Sequence, residues 1–135
     1  MSGERYPVLW IGQVAVVTLP AEIDVTNADA IREELLAVLN QGAVLLVADM
    51  SKTDFCDSSG VSALVRVFRH AATSATALRL AVTTPAVLRV LSITGVDRLV
   101  DVYPSVAASV AGPNGQADQA WPDGATAKAD TDGGA

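Results

Sequence analysis

The run Ala-Val-Leu-Leu-Val-Ala at residues 43–48 constrains this chain more than any other stretch. Six consecutive apolar residues without polar alternation suit a strand covered on both faces, not one with a wet side. Helical patterns stand on either side of it. Before it, Ile31, Leu35, Val38 and Leu39 form an apolar stripe, with Asp29, Arg32, Glu33 and Glu34 elsewhere on the same helix. After it, Val61, Leu64, Val65, Phe68 and Ala72 recur at helical spacing while Arg66, Arg69 and His70 fall on other sides. A buried strand between two amphipathic helices calls for parallel neighbours joined by right-handed crossovers, which predicts an α/β fold.

The remaining segments extend that scheme. Residues 6–21 carry no charge, yet they are too short to span about 30 Å of hydrocarbon and are broken by Gly12, Gln13 and Pro20. They read as a hairpin of residues 8–11 and 14–19, with Gly12 free to take positive φ in the turn. After Pro20, the polar side chains of Glu22, Asp24, Thr26 and Asn27 can hold a loop and cap the first helix, and Asn40-Gln41-Gly42 closes it. Leu78, Leu80 and Val82 alternate with Arg79 and Ala81 as a further strand. Thr84-Pro85 opens a helix through Val87, Leu88 and Leu91 that ends near Gly95. Residues 99–102 form a short last strand and residues 105–111 a last helix. The expected sheet is mixed and mostly parallel, with four to five strands and about four helices.

With 135 residues, half of them hydrophobic, the chain can build one domain with a proper core but not two ordinary ones. That domain is assigned to residues 1–111. Residues 112–135 are Gly, Ala, Asp and Pro around a lone Trp121, a composition that predicts a disordered tail. Cutting after Ala111 is expected to leave the thermal midpoint unchanged in a melting experiment. A fall of more than about 5 °C, roughly 1 kcal/mol for a domain of this size, would mean that the tail packs on the core.

The formal net charge is −6 and no basic patch invites nucleic acid. Charge is nevertheless segregated: residues 22–57 hold eight acids against Arg32 and Lys52, whereas residues 58–99 hold five arginines against Asp97. The acidic stretch suits a basic groove on a partner and equally suits a plain solvated face. The single cysteine, Cys56, excludes an internal disulfide and reads as a small buried hydrophobe. Asp24, Asp49, Asp54 and Asp57 have no spacing that requires a metal, and the chain lacks phosphate-cradling, dinucleotide and zinc motifs, so no cofactor is implied. The only histidine, His70, lies twelve positions along a helix from Ser58, about 18 Å at 1.5 Å per residue. Proton transfer needs roughly 3 Å, so no serine–histidine dyad exists and the chain is not expected to be an enzyme.

Between the apolar run and the second helix stands Asp57-Ser58-Ser59-Gly60. The first turn of a helix leaves backbone N–H groups unpaired and carries partial positive charge, so a serine there can cap the helix or carry a phosphate. Both readings suit Ser58 and Ser59.

In its setting, Asp54-Phe55-Cys56-Asp57-Ser58-Ser59-Gly60-Val61 resembles the phosphorylation motif of the STAS-domain anti-sigma factor antagonists of bacteria. Ala21-Glu22-Ile23-Asp24 is similar to the family's other signature, and the likeness runs from about Val8 to Ala111. The resemblance implies a STAS-like single domain whose unphosphorylated form binds an anti-sigma factor that is itself a serine kinase, so that the sigma factor is released. It makes Ser58 the phosphoacceptor, places Asp57 and Ser59 beside it in the contact surface, and gives Gly60 the part of letting backbone approach the kinase. Asp24 matches a signature aspartate whose loop lies near the serine. Pro20-Ala21 stands where a glycine usually precedes that signature. A metal-dependent serine phosphatase is the second implied partner, no membrane is involved, and the implied location is cytoplasmic. The alternative is a STAS module serving as a transporter or lipid-trafficking subunit, or as a nucleotide-binding sensor.

Overall fold

A computed structural model describes residues 6–112. Its elements in chain order are β1 (Val8–Ile11), β2 (Val14–Thr18), β3 (Glu22–Ile23), α1 (Ala28–Asn40), β4 (Leu45–Met50), β5 (Phe55–Cys56), α2 (Ser58–Thr73), β6 (Ala77–Val82), α3 (Pro85–Thr94), α4 (Val96–Leu99), β7 (Asp101–Tyr103) and α5 (Val106–Ala111). Five strands form one sheet in the order β1-β2-β4-β6-β7, antiparallel only between β1 and β2. The mixed, mostly parallel α/β sheet is therefore as expected, with the hairpin turning at Gly12, φ +61°. Of the expected tail, only Gly112 lies within the described residues, and it is buried.

The central strand β4 is covered on both faces, as its composition requires. On one face Leu46, Ala48 and Met50 join Ala15 and Val17 of β2, Leu78, Leu80 and Val82 of β6, and the apolar stripes of α1 to α4. On the other, Leu45 and Val47 pack with Val16, Ala81 and Val110, the last from α5. Burying each of the Val, Leu and Met side chains among them contributes about 1.5–3 kcal/mol.

Four local readings are corrected. In α2 the core-facing arc is Gly60, Val61, Leu64, Val67 and Ala71; Val65 and Phe68 lie half-buried at its edge and Ala72 is exposed. Arg79, whose alternation suggests an outward side chain, is 3 % exposed because α5 covers that face. Its guanidinium donates to the Ser109 carbonyl at 2.7 Å and lies 5.6 Å from the Tyr103 ring centroid. Thr84 occupies the N-cap position of α3 without a capping bond, its hydroxyl donating instead to the Thr53 carbonyl at 2.8 Å. A fifth, single-turn helix, α4, follows Gly95, so that the last strand begins at Asp101 and not at 99.

Candidate functional site

Two strands too short for any periodicity hold the site together. β3 pairs in parallel with β5, placing Glu22 opposite Phe55 and Ile23 opposite Cys56, and the Asp57 amide then donates to the Ile23 carbonyl at 3.1 Å. The Asp24 turn consequently lies beside the start of α2. Pro20 and Ala21 anchor the same junction: the Thr53 hydroxyl donates to the Pro20 carbonyl at 2.7 Å, and the amides of Asp54 and Phe55 to the Ala21 carbonyl at 2.8 and 3.2 Å.

Asp57, rather than either serine, caps α2. Its Oδ1 accepts from the backbone amides of Ser59 at 2.9 Å and Gly60 at 3.2 Å, and the Ser59 hydroxyl donates to the same oxygen. The Ser59 hydroxyl, opposed by burial and joined by the two amides, holds the Asp57 carboxyl below its ordinary value. A carboxylate whose folded pKa is depressed stabilises the fold above its ordinary pKa of 3.8, and loses that effect as pH falls through the folded value. Asp57→Ala is therefore expected to lower the melting midpoint at pH 7, with the gap to the parent closing below pH 3.8. Asp57→Asn, which can still cap, should retain most of the midpoint at pH 7; an equal loss in both variants would contradict a capping role.

Ser58 is the first residue of α2 and is exposed, and its hydroxyl bonds to none of the described residues. Ser59 is half-buried and tied to Asp57. The two serines that composition leaves equivalent are thus different in kind. Gly60 also has a part inside the fold: its missing side chain faces inward, where an added Cβ would stand 2.6 Å from Ile23 Cγ2 and 2.7 Å from Cys56 Sγ. Glycine is needed there to seat α2 on the β3–β5 pair. Cys56 is buried as expected, and burial followed by the Asp57 charge pushes its thiol up to about 11, which keeps it protonated and unreactive at neutral pH.

Asp24 accepts from the Thr26 amide at 2.9 Å and from the Thr26 hydroxyl, while its own amide donates to Asn27 Oδ1 at 3.0 Å. Asn27 Nδ2 donates to the Glu22 carbonyl at 2.8 Å, so its side chain ties the loop rather than capping α1. Asp49 Oδ1 accepts from the Ser51 amide at 3.0 Å. Three of the four aspartates weighed as metal ligands, Asp24, Asp49 and Asp57, therefore accept from nearby backbone amides, and no group of three or more metal-ligating side chains gathers among the described residues. His70 is exposed on α2. Two side chains escape the sequence reading: Val25, just after β3, is 76 % exposed and Phe55, on β5, is 50 % exposed. Phe55 is part of the motif, but no pattern says that it points outward.

The family model of the STAS domain matches residues 8–109. The chain belongs to the STAS-domain family. Over 86 residues this STAS domain is 29% identical to the anti-sigma-B factor antagonist of Bacillus subtilis, covering 64% of this chain and 78% of that one. It is similar to an anti-sigma factor antagonist from Mycobacterium paratuberculosis, with TM-score 0.71 and 26% identity over 78% of this chain and 89% of that one. A STAS protein from Planctomyces limnophilus shares the fold at TM-score 0.67 and 23% identity, covering 75% and 90% of the two chains. Among the described residues of this STAS domain, no helix is long and apolar enough to cross a membrane.

Proposed function

We propose that this STAS domain is an anti-sigma factor antagonist acting as a phosphorylation switch in the cytoplasm. Its unphosphorylated form binds an anti-sigma factor that is a serine kinase and so frees the sigma factor; phosphorylation of Ser58 by that kinase ends the contact. A metal-dependent serine phosphatase resets it. The observation that carries this reading is the exposed Ser58 hydroxyl, free of any bond to the described residues, at the head of a helix whose capping carboxylate is already supplied by Asp57.

The surroundings support it. Asp24, Asp57 and Ser59 form a polar rim, and Val25 and Phe55 supply the apolar contact area that interfaces concentrate near their centres. Gly60 contributes by fixing the height of α2 above β3 and β5. The domain's own chemistry is limited to accepting a phosphoryl group. Incubation with candidate anti-sigma kinases and labelled ATP tests the reading: one of them should bind this chain and label it. If no kinase-type anti-sigma factor of the same organism does either, the reading falls.

A further inference from the structure

The outer side of the α1–α2 pair carries an open groove that starts at Ser59 and runs along both helices. Its first part, about 280 Å³, is bordered by Val25, Asp29, Ser59 and Ser62; its second, about 590 Å³, by Leu36, Arg69, His70 and Thr73. Arg32 and Arg66 border both parts. Arg32 is answered by Asp29 at 3.0 Å and Glu33 at 3.2 Å. Arg66 and Arg69, both exposed, pair with no carboxylate among the described residues. Three apart on one helix, they repel each other, a small cost to the fold. Uncompensated arginines on an acidic chain are accounted for by neither core nor cap.

We propose that this groove seats an acidic segment of the anti-sigma factor, an inference that rests on the function proposed above. Because α2 begins at Ser58, a partner that covers the serine continues directly onto the groove. The span from Ser59 to Thr73 is about 21 Å at 1.5 Å per residue, enough for roughly six extended residues. Arginine forks bind carboxylates in pairs, and their position beyond the Asp24 and Asp57 loops gives the surface two poles. Such a pair of poles fixes the register of a docked partner and speeds its approach. Asp29 in the groove lining, and Glu33 paired with Arg32 beside it, make it a poor track for nucleic acid.

Two probes test the proposal on the full chain. Hexaglutamate should shift the backbone amides of residues 28–36 and 59–73, and the shifts should vanish in Arg66→Gln/Arg69→Gln; no shifts, or shifts elsewhere, overturn the proposal. Against a kinase that labels Ser58, Arg66→Glu/Arg69→Glu should bind about tenfold more weakly or worse at 0.1 M salt. The difference should shrink at 1 M, where the screening length falls from about 10 Å to about 3 Å. Because both side chains are exposed, the variant should melt as the parent does. If it binds and is labelled as well as the parent, the groove proposal fails while the function stands. If no kinase labels the parent, the function fails and hexaglutamate alone decides the groove. Tighter kinase binding on replacing Asp118, Asp123, Asp130 and Asp132 by asparagine would make this chain's own tail the occupant, which also overturns the proposal.

Discussion

Phosphorylation of Ser58 is expected to weaken binding to the anti-sigma kinase by about 10⁴. The phosphate brings about −1.5 to −2 charges to a hydroxyl position that the contact must strip of water. Asp57 already accepts the Ser59 and Gly60 amides, so the phosphate does not find those donors free at the helix start and projects into the interface beside a second negative charge. To move a partner from nearly all bound to nearly all free, the modification must cost about 5.5 kcal/mol; a hundredfold effect would give only a partial switch. Ser58→Asp, with a single charge, should bind weakly but better than the phosphoprotein, and Ser58→Ala should bind as the parent does. Calorimetry on the four forms checks the order. A phosphoprotein bound within tenfold of the parent would contradict switching by repulsion.

Gly60→Ala should destabilise the domain, although alanine is normally the better helix residue by about 0.5–1 kcal/mol. The added Cβ would meet Ile23 Cγ2 at 2.6 Å and Cys56 Sγ at 2.7 Å. Neither atom can swing aside, since the first sits on a β-branched carbon and both residues are buried in the β3–β5 pair. Overpacking of this kind costs about 1–3 kcal/mol; less the gain in helix propensity, a net loss of up to about 2 kcal/mol lowers the midpoint of a domain of this size by up to about 15 °C. The variant should also lift the head of α2, and with it Ser58, so kinase affinity should fall together with stability. An unchanged or raised midpoint in a thermal melt would mean that the motif glycine has room above it.

The sheet, the hairpin, the first two helices and the serine loop were legible because each has a period or turn residue that a single stretch of sequence displays. What was hidden depends on contacts between distant stretches. Two-residue strands have no period, so β3 and β5, which bring the Asp24 turn to Ser58, leave no trace in the sequence. Asp, Ser and Thr all cap helices well, so the first turn alone could not assign the cap to Asp57 or deny one to Thr84. Arg79 reads as a surface residue until α5 closes over it. The phosphoacceptor assignment came from family resemblance; the geometry adds the physical difference between an exposed Ser58 and a tied Ser59.

The most direct test of the account is phosphate incorporation by the cognate anti-sigma kinase into three proteins: the parent, Ser58→Ala and Ser59→Ala. The parent and Ser59→Ala should each take up phosphate, with the label mapped to Ser58, and Ser58→Ala should take up none while still binding the kinase. Uptake into Ser58→Ala with none into Ser59→Ala would contradict the account.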